Sequence, residues 1–294
     1  RAESGEICLG TIDSWLLWQL TQEHVFKTDY SNASRTQLMN LQTLGWDEEL
    51  AEIFGIPMEC LPQICDSDSV FGYTLMGGLF EKPVPICAVL GDSHAALFGQ
   101  GCLLPGMSKA TYGTGSSLMM NIGEKPIASS HGVVTSLAWK RRGRVEYVLE
   151  GNLNYTGAVI TWLKEDMKLI QTAGETEELA LSANPADETY LVPAFTGLGA
   201  PYWDENARAA VIGMSRVTGK AELVRAALDC IAYQITDLIM AMEQDTGIPM
   251  KELRVDGGPT RNRYLMQFQS DISGKKLRIP AEEELSGRGA AYMA

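Results

Sequence analysis

Three glycine-containing turns carry the side chains of this chain that are best suited to chemistry. They are residues 91–94 (Gly-Asp-Ser-His), 112–116 (Tyr-Gly-Thr-Gly-Ser) and 256–259 (Asp-Gly-Gly-Pro). Each turn closes or interrupts an apolar run typical of a buried β-strand, and each combines a flexible backbone with a hydroxyl or a carboxylate. Turns of this kind hold phosphate, metal or a substrate hydroxyl. Together they predict phosphoryl transfer from a nucleotide to a small molecule.

Asp92 is the candidate catalytic carboxylate. It directly follows a short apolar run, residues 85–90, that is typical of a strand covered on both faces. Ligands of open α/β sheets bind at the carboxyl ends of such strands. A carboxylate there can accept the proton of an attacking hydroxyl and help to hold magnesium through water. The alternative is a structural role, in which Asp92 caps the next helix through the amide of Ala95 or Ala96.

The same turn has a rival interpretation as the nucleophile elbow of an α/β-hydrolase, with Ser93 as the nucleophile. That chemistry requires an acid and then a histidine further along the chain. Beyond His94 the only histidine is His131, and the only acid between them is Glu124. Those two residues belong to one short predicted hairpin segment rather than to two strand ends, so the order of a hydrolase triad is not met.

The second turn could bind phosphate through its successive amides, with the Thr114 and Ser116 hydroxyls as further donors. An ordinary hairpin turn is the alternative. Two common nucleotide motifs are excluded. The dinucleotide pattern requires glycine where Leu118 stands, and Gly219-Lys220 is followed by Ala221 rather than by the hydroxyl residue of a P-loop.

Two further segments are candidates for the site. After the turn at 256–258, Asn262 could hydrogen-bond the edge of a nucleoside, although turns of this composition are common. Residues 195–204 contain Tyr202 and Trp203 among glycines and a proline, which indicates a fixed loop packed under its own aromatic side chains.

Composition narrows the class of protein. The chain has 294 residues, 45% of them hydrophobic, and a net charge of −13, which argues against nucleic acid as a partner. The basic cluster at 140–144 is predicted to be a solvated hairpin turn. Six scattered cysteines indicate a reduced, cytoplasmic setting, and no apolar run is long enough to span a membrane. The chain begins without methionine and stops within a helical run, so we expect a fragment of a longer protein.

The hydrophobic periodicities predict an α/β protein with a mixed sheet. The predicted strands are residues 85–90, 108–112, 117–121, 133–139, 145–149 and 253–255. The predicted helices are residues 13–20, 47–54, 95–101, 156–170, 221–243, 263–270 and 289–294, the first with Asp13 as its N-cap. The candidate domain boundary is the Leu-Leu-Pro-Gly stretch at 103–106.

Several motifs together resemble the FGGY family of carbohydrate kinases, and within it the glycerol kinases most closely. The matching stretches run nearly end to end in family order: GTIDSWL (10–16), TDYSNASRT (28–36), GD (91–92), YGTG (112–115), FTGLGAPYWD (195–204), RVDGG (254–258), LMQFQSD (265–271) and GAAY (289–292).

The resemblance implies an actin-like (ribonuclease H-like) ATPase fold of two domains, with the active site in the cleft between them. Residues 1–100 would be the C-terminal portion of the N-terminal, substrate-binding domain, and residues 101–294 a truncated nucleotide-binding domain. The implied cofactors are ATP and Mg²⁺, and the implied partner is a small polyol or sugar. A cytoplasmic enzyme that binds neither nucleic acid nor membrane is expected, with the full-length protein forming a homo-oligomer.

The resemblance also assigns roles to residues. Asp92 would be the catalytic base and would hold magnesium through water. Asp92, Ser93 and Ser117 would contact the substrate, and Asp256 would shape the nucleotide pocket. The residues implied to bind the nucleotide are Thr114 at the phosphates, and Gly157, Thr161, Gly258 and Asn262 in the pocket.

Three positions depart from the glycerol kinase pattern. Glutamine is usual in glycerol kinases at the positions of Ser93 and Thr161, and an aromatic residue that covers the glycerol carbons is usual at the position of Ser117. Losing a large planar side chain opens room beside the substrate. The expected substrate is therefore glycerol or a larger hydroxyl-rich molecule, such as a tetritol or a pentulose, with a pentulose kinase such as xylulokinase as the alternative.

Other features set limits on that expectation. The family's first phosphate loop and its arginine–glutamate grip on the polyol are absent from these residues, so the isolated fragment is expected to be inactive. A more remote alternative is an actin- or chaperone-type ATPase, which would not need a substrate base at Asp92.

Overall fold

Short helices and two-stranded sheets make up the first third of the chain. The structure is a computed structural model that describes residues 1–4, 6–282 and 284–294. The elements here are α1 (Ile12–Leu20), β1 (Lys27–Asp29), α2 (Tyr30–Ala33), β2 (Met39–Asn40), β3 (Gly45–Trp46), α3 (Glu48–Ile53), β4 (Gln63–Cys65), β5 (Gly72–Thr74), β6 (Val84–Ile86) and α4 (Asp92–Gly99). Strands β1 and β4 pair in parallel, whereas β2 with β3 and β5 with β6 form antiparallel pairs.

A six-stranded mixed sheet organises the remainder of the chain. Its elements are β7 (Ser108–Tyr112), β8 (Ser116–Gly123), β9 (Val134–Arg141), β10 (Arg144–Leu153), α5 (Gly157–Glu165), α6 (Glu175–Ser182), β11 (Tyr190–Val192), β12 (Ala210–Ile212), α7 (Lys220–Thr246), β13 (Glu252–Asp256), α8 (Arg263–Ser273), β14 (Lys276–Arg278) and α9 (Leu285–Met293). The strand order across the sheet is β14-β13-β7-β8-β10-β9. The pairs β7–β8, β8–β10 and β10–β9 are antiparallel, and β13 pairs in parallel with both β7 and β14.

The two faces of this sheet differ in chemistry because side chains alternate along each strand. One face is apolar and packs on α7, with Leu118, Leu149 and Val255 in the same buried cluster as α7 residues such as Ile235 and Leu238. The opposite face carries Met119 and Val148 against α4 and α9. The same face also carries three buried charged residues at alternate strand positions, Lys109, Glu150 and Asp256. Two of the candidate turns, at 112–116 and 256–259, directly follow the strands that carry Lys109 and Asp256 on this polar face.

Helices α4 and α9 cross at glycines. A β-carbon at Gly289 would overlap the carbonyl oxygen of Ala95, and one at Gly99 would overlap the carbonyl oxygen of Leu285. The Arg288 guanidinium donates to the Gly99 carbonyl at 3.1 and 2.7 Å. The last helix is therefore seated directly against the helix that begins at Asp92.

The mixed α/β character and most of the major elements agree with the sequence-based prediction. The turn between β9 and β10 lies at Arg142 and Gly143, both with positive φ, as predicted for the basic hairpin. Helix α5 is shorter than predicted, and Lys168, inside the predicted helix, has a φ of +54° that is incompatible with one. Asp13 is not an N-cap; Thr11 is, and the buried Asp13 accepts a hydrogen bond from the Thr28 hydroxyl at 2.7 Å.

The prediction of a buried strand before Asp92 is wrong. Only Val84–Ile86 is a strand (β6), it pairs with β5, and its residues are partly exposed. Pro85 has no backbone N–H to give to a second neighbour, which confines such a strand to an edge. None of the helices in the described part of the chain is both long and apolar enough to cross a membrane.

Candidate active site

The turn at 112–116 is bonded to the start of α5. The Gly113 carbonyl accepts the Gly157 amide at 2.9 Å, and the Thr114 carbonyl accepts the Ala158 amide at 2.9 Å. A β-carbon at Gly157 would overlap the Gly113 carbonyl oxygen. Glycine at 157 is therefore what allows the helix to begin against this turn. The Thr114 side chain itself is exposed.

The turn at 256–259 lies at the same sheet edge. Strands β13 and β7 are parallel neighbours, with Asp256 paired with Thr111, so the two strands end side by side. Gly257 has a φ of +96°, and a β-carbon there would overlap the Tyr112 carbonyl oxygen. This contact requires glycine for two reasons, the left-handed backbone and the lack of space.

A cavity of 530 Å³ opens beside these two turns. It is lined by four residues that sequence reasoning assigned to the nucleotide: Gly157, Thr161, Gly258 and Asn262. Apolar side chains form much of the remaining wall, namely Ile160, Leu228, Ile231 and Leu265. A volume in this range is typical of pockets for small molecules and cofactors.

Two polar side chains of this cavity already have protein partners. The Asn262 side-chain oxygen accepts the Leu265 amide at 2.9 Å and caps α8, and its amide nitrogen donates to the Thr176 hydroxyl at 3.0 Å. Since a primary amide has two donor hydrogens, one hydrogen of Asn262 has no acceptor among the described residues and could bind a ligand. The Thr161 hydroxyl donates to the Gly157 carbonyl at 3.4 Å.

Asp92 is the first residue of α4, and its side chain is exposed. Gly91 is the N-cap of this helix, and the Asp92 carboxylate accepts the amide of its neighbour Ser93 at 2.6 Å. The capping role through the Ala95 amide is not observed, because that amide donates to the Gly91 carbonyl at 2.8 Å. The Ser286 hydroxyl of α9 donates to the Asp92 carbonyl at 3.0 Å.

Beside Asp92, the polar face of the sheet contains a buried lysine. The Lys109 ammonium donates to the Thr111 hydroxyl at 3.0 Å, in the strand that leads into the turn at 112–116. Burial lowers the pKa of Lys109, and the charges of Asp256, Glu150 and Asp92 oppose that shift. Lys109 and Asp92 are therefore close enough to interact electrostatically. The Asp256 carboxylate also accepts the Gln100 amide at 2.6 Å, which links the third turn to the end of α4.

The residues predicted to face the substrate lie near this region. Ser93 is half-buried, directly after Asp92. Ser117 is paired with Asn152 across β8 and β10, and it shares a sheet face with Thr111. Its hydroxyl oxygen is buried and has no hydrogen-bond partner among the residues that the structure describes. Such a group normally finds a partner in a ligand or in water.

The hydrolase interpretation is not supported. Burial and the charges of Arg35 and Lys109 lower the pKa of His94 to about 3, so this imidazole is neutral. His131 pairs with Asp245 at 2.6 Å, whereas Glu124 pairs with Arg144 at 2.6 Å. These contacts do not assemble a triad around Ser93.

The loop at 195–204 is only partly as predicted. Phe195 packs inward, with its ring centroid 4.9 Å from that of Tyr155 and 5.0 Å from that of Trp162. Tyr202 and Trp203 are instead more than half exposed. Their polar atoms donate to Asp237 at 2.9 Å and to the Gly132 carbonyl at 2.7 Å, so the loop is tied to its neighbours.

Sequence reasoning missed the buried charged residues of the polar face. Lys109 and Glu150 are buried in strands β7 and β10, next to the apolar residues Ala110 and Leu149, and the Arg35 guanidinium lies 2.8 Å from the Glu150 carboxylate. A charged residue at one alternating position of a strand was the available signal, because burying a charge is costly unless partners are present.

Replacing Gly157 with alanine should weaken binding of ADP. The added methyl must push α5 away from the Gly113 carbonyl, and we expect affinity to fall about tenfold, since overpacking of this kind costs roughly 1–3 kcal/mol. Isothermal titration calorimetry with ADP would measure the change in affinity. Gly174→Ala is the matched control in the same cavity, because its β-carbon would meet nothing nearer than the Thr172 hydroxyl at 3.8 Å. Equal losses in the two variants would contradict the assignment.

Family models match almost the whole chain. The N-terminal domain of the FGGY family of carbohydrate kinases matches residues 1–99, and its C-terminal domain matches residues 108–294. Among similar curated proteins, glycerol kinase 1 of Thermotoga maritima is 52% identical and the glycerol kinase of Desulfitobacterium hafniense 48% identical, each over 294 residues. The chain is covered completely in both comparisons and spans 60% of the length of each relative.

Solved structures agree in fold. A Plasmodium falciparum glycerol kinase with ADP superposes with a TM-score of 0.91 at 37% identity, over 98% of this chain and 57% of that one. The xylulose kinase of Lactobacillus acidophilus superposes with a TM-score of 0.86 at 23% identity, over 96% and 57%, respectively. The actin-like, two-domain kinase fold predicted from the sequence is thereby confirmed, and the chain belongs to the FGGY family of carbohydrate kinases.

Proposed function

We propose that this protein transfers the γ-phosphoryl group of ATP to a hydroxyl of a small polyol or sugar, as a kinase similar to the glycerol kinases. The observation that carries the proposal is the hydrogen bond between the turn at 112–116, through the Gly113 carbonyl, and Gly157 in the wall of the 530 Å³ cavity. A nucleoside in that cavity would direct its phosphates toward Thr114. The glycerol kinase relatives and the ADP complex of the Plasmodium enzyme support a nucleotide as one of the substrates.

Asp92 is proposed as the general base. Its exposed carboxylate is available to a substrate, and it can accept the hydroxyl proton while the oxygen attacks phosphorus in line. Thr114 and the turn amides would bind phosphate oxygens. Gly157, Thr161, Gly258 and Asn262 would hold the nucleoside, Asn262 with its remaining amide hydrogen.

Magnesium is proposed to bind with the nucleotide. In the residues that the structure describes, no group of three or more histidine, cysteine or acidic side chains could form a metal site. Asp92 would contact the ion through water, because Mg²⁺ usually keeps several of its water ligands when it binds beside a carboxylate and substrate phosphates. When bound, the ion supplies positive charge against the phosphates.

The acceptor is proposed to be glycerol or a somewhat larger polyol or ketose, with Ser93 and Ser117 beside it. The buried hydroxyl of Ser117, which has no partner in the described part of the chain, favours the larger acceptor, because an additional substrate hydroxyl could bond to it. The same observation favours the second candidate, a pentulose kinase. A cytoplasmic location and a homo-oligomeric state complete the proposal.

A panel of acceptors tests this function. The full-length protein is incubated with ATP and glycerol, erythritol or xylulose, and formation of ADP and phosphorylated product is followed. We expect ATP-dependent phosphorylation of at least one acceptor. Absence of product with all three would contradict the kinase assignment, and a strong preference for glycerol would contradict the larger acceptor.

A Ser117→Phe variant sharpens the acceptor assignment. The ring would restore apolar cover and remove the free hydroxyl, so the ratio of kcat/KM for glycerol over xylulose should rise about tenfold or more. An unchanged ratio would place Ser117 outside the acceptor site.

A further inference from the structure

The segment TDYSNASRT at 28–36 has no role in the chemistry described so far, yet it contains a fully buried carboxylate, Asp29. Five donor groups surround this carboxylate. The amides of Ser31 and Asn32 lie at 3.0 Å, and the side chains of Ser31, Asn32 and Ser67 donate at 2.7 to 2.9 Å. Burial raises the pKa of Asp29 and these hydrogen bonds oppose the shift.

Four of the five donors belong to the first turn of α2 and need no explanation beyond capping of that short helix. The Ser31 hydroxyl does more. It donates to Asp29 and accepts the Gly91 amide at 2.8 Å. A hydroxyl has one hydrogen, and Ser31 gives it to Asp29, so its oxygen can only accept in the contact with Gly91. The hydrogen bonds therefore run in one direction, with Gly91 donating to Ser31 and Ser31 donating to Asp29.

Gly91 is a sensitive place for such a contact. It is the N-cap of α4, it has no side chain to hold itself in position, and Asp92 follows it directly. A β-carbon at Gly91 would lie 2.9 Å from the buried His94 ring, so the turn fits closely on that side. The hydrogen bond from the Gly91 amide to the Ser31 hydroxyl holds the turn on its other side.

The same segment is attached to the six-stranded sheet. The Ser34 hydroxyl accepts the Leu137 amide at 3.2 Å, and Arg35 pairs with Glu150 at 2.8 Å. Ser67, the remaining donor to Asp29, gives its own amide to the Lys140 carbonyl at 2.7 Å. The segment therefore connects the turn at 91–94, which contains the proposed base, to the sheet that carries the turn at 112–116.

From these contacts we propose that Asp29 and Ser31 are positioning residues of the kinase reaction, which set the direction of Asp92 through the Gly91 amide. This inference rests on the proposed function. It assigns a purpose to a buried polar network that neither touches the nucleotide cavity nor provides a catalytic group.

The test is Ser31→Ala in the full-length protein, with Ser34→Ala, at the C-cap of the same helix, as the matched control. Since small displacements of a catalytic group cost up to about 100-fold, we expect kcat to fall about 10- to 100-fold in Ser31→Ala with KM for ATP within about twofold of the parent. Ser34→Ala removes a hydroxyl with a comparable amide contact outside the chain of bonds from Gly91 to Asp29. Because Arg35 and Ser67 still attach the segment to the sheet, kcat should stay within about twofold.

A second measurement does not depend on activity. Amide hydrogen exchange of the peptide containing Gly91 should be about tenfold faster in Ser31→Ala than in the parent or in Ser34→Ala. Unchanged exchange at Gly91, or an active parent with unchanged kcat in Ser31→Ala, would overturn the inference. A parent that phosphorylates no acceptor would refute the proposed function instead, and the exchange result would then still decide whether Ser31 holds the turn.

Discussion

Asp92→Asn is expected to lower kcat by about 10²- to 10⁴-fold while leaving the affinity for ADP within about twofold of the parent. An asparagine has nearly the same shape but cannot accept the proton of the acceptor hydroxyl, and general-base catalysis contributes a factor of this size. Affinity should persist because Asp92 does not line the nucleotide cavity. Steady-state kinetics with the preferred acceptor and titration of ADP would measure the two quantities in the full-length protein.

Glu48→Gln is the matched control for this experiment. Glu48 is likewise an exposed acid at the first position of a helix, α3, so the control reproduces the loss of charge at a helix N-terminus without touching the site. We expect it to be fully active. If Asp92→Asn kept its turnover, the base role would be wrong, and an actin- or chaperone-type ATPase would become the better account. If it lost ADP binding, Asp92 would belong to the nucleotide site.

Gly289→Val is expected to lower the free energy of unfolding by about 3 kcal/mol or more. The crossing of α4 and α9 leaves no room for a β-carbon beside the Ala95 carbonyl, and backbone on both sides cannot move as a flexible side chain could. Urea denaturation followed by circular dichroism would measure the loss. Because α9 also holds the Asp92 carbonyl through Ser286, kcat should fall as well.

Gly287→Ala provides the comparison within the same helix. Its β-carbon would meet the flexible Glu284 side chain at 3.3 Å, and alanine is the better helix former by about 1 kcal/mol. This variant should be as stable as the parent or slightly more so. If both variants lost the same stability, general intolerance of α9 to substitution, rather than the crossing, would be the cause.

Elements with a strong local signal could be predicted from the sequence. Strand β7 has the predicted bounds, and β8, β10 and α7 differ from prediction by a few residues at their ends. In these cases alternation, turn glycines and helix caps lie within a short stretch of chain. The same local signals located the three candidate turns, of which the two at Gly113 and Gly257 are brought together by contacts with Gly157 and Tyr112.

Features that depend on distant residues could not be predicted in this way. The bond between Gln100 and Asp256 joins residues 156 positions apart, and the crossing at Gly99 and Gly289 is similarly remote in sequence. The prediction of a buried strand at 85–90 failed because an apolar run does not reveal how many neighbouring strands it pairs with. The nucleotide roles proposed for Gly157 and Thr161 came from family resemblance, since neither residue has a distinctive local pattern.

The glycine crossing of α4 on α9 has a mechanical consequence for the two halves of the chain. With backbone against backbone and Arg288 fastened to the Gly99 carbonyl, neither helix can slide or rotate without breaking those bonds. Asp92 precedes the sheet in chain order, yet its helix packs on that sheet through Leu97 and Phe98, and Gln100 at the end of the helix is bonded to Asp256. In the proposed kinase, a hinge motion would therefore leave Asp92 and the turn at 112–116 together, and closure would move the proposed acceptor rather than the carboxylate.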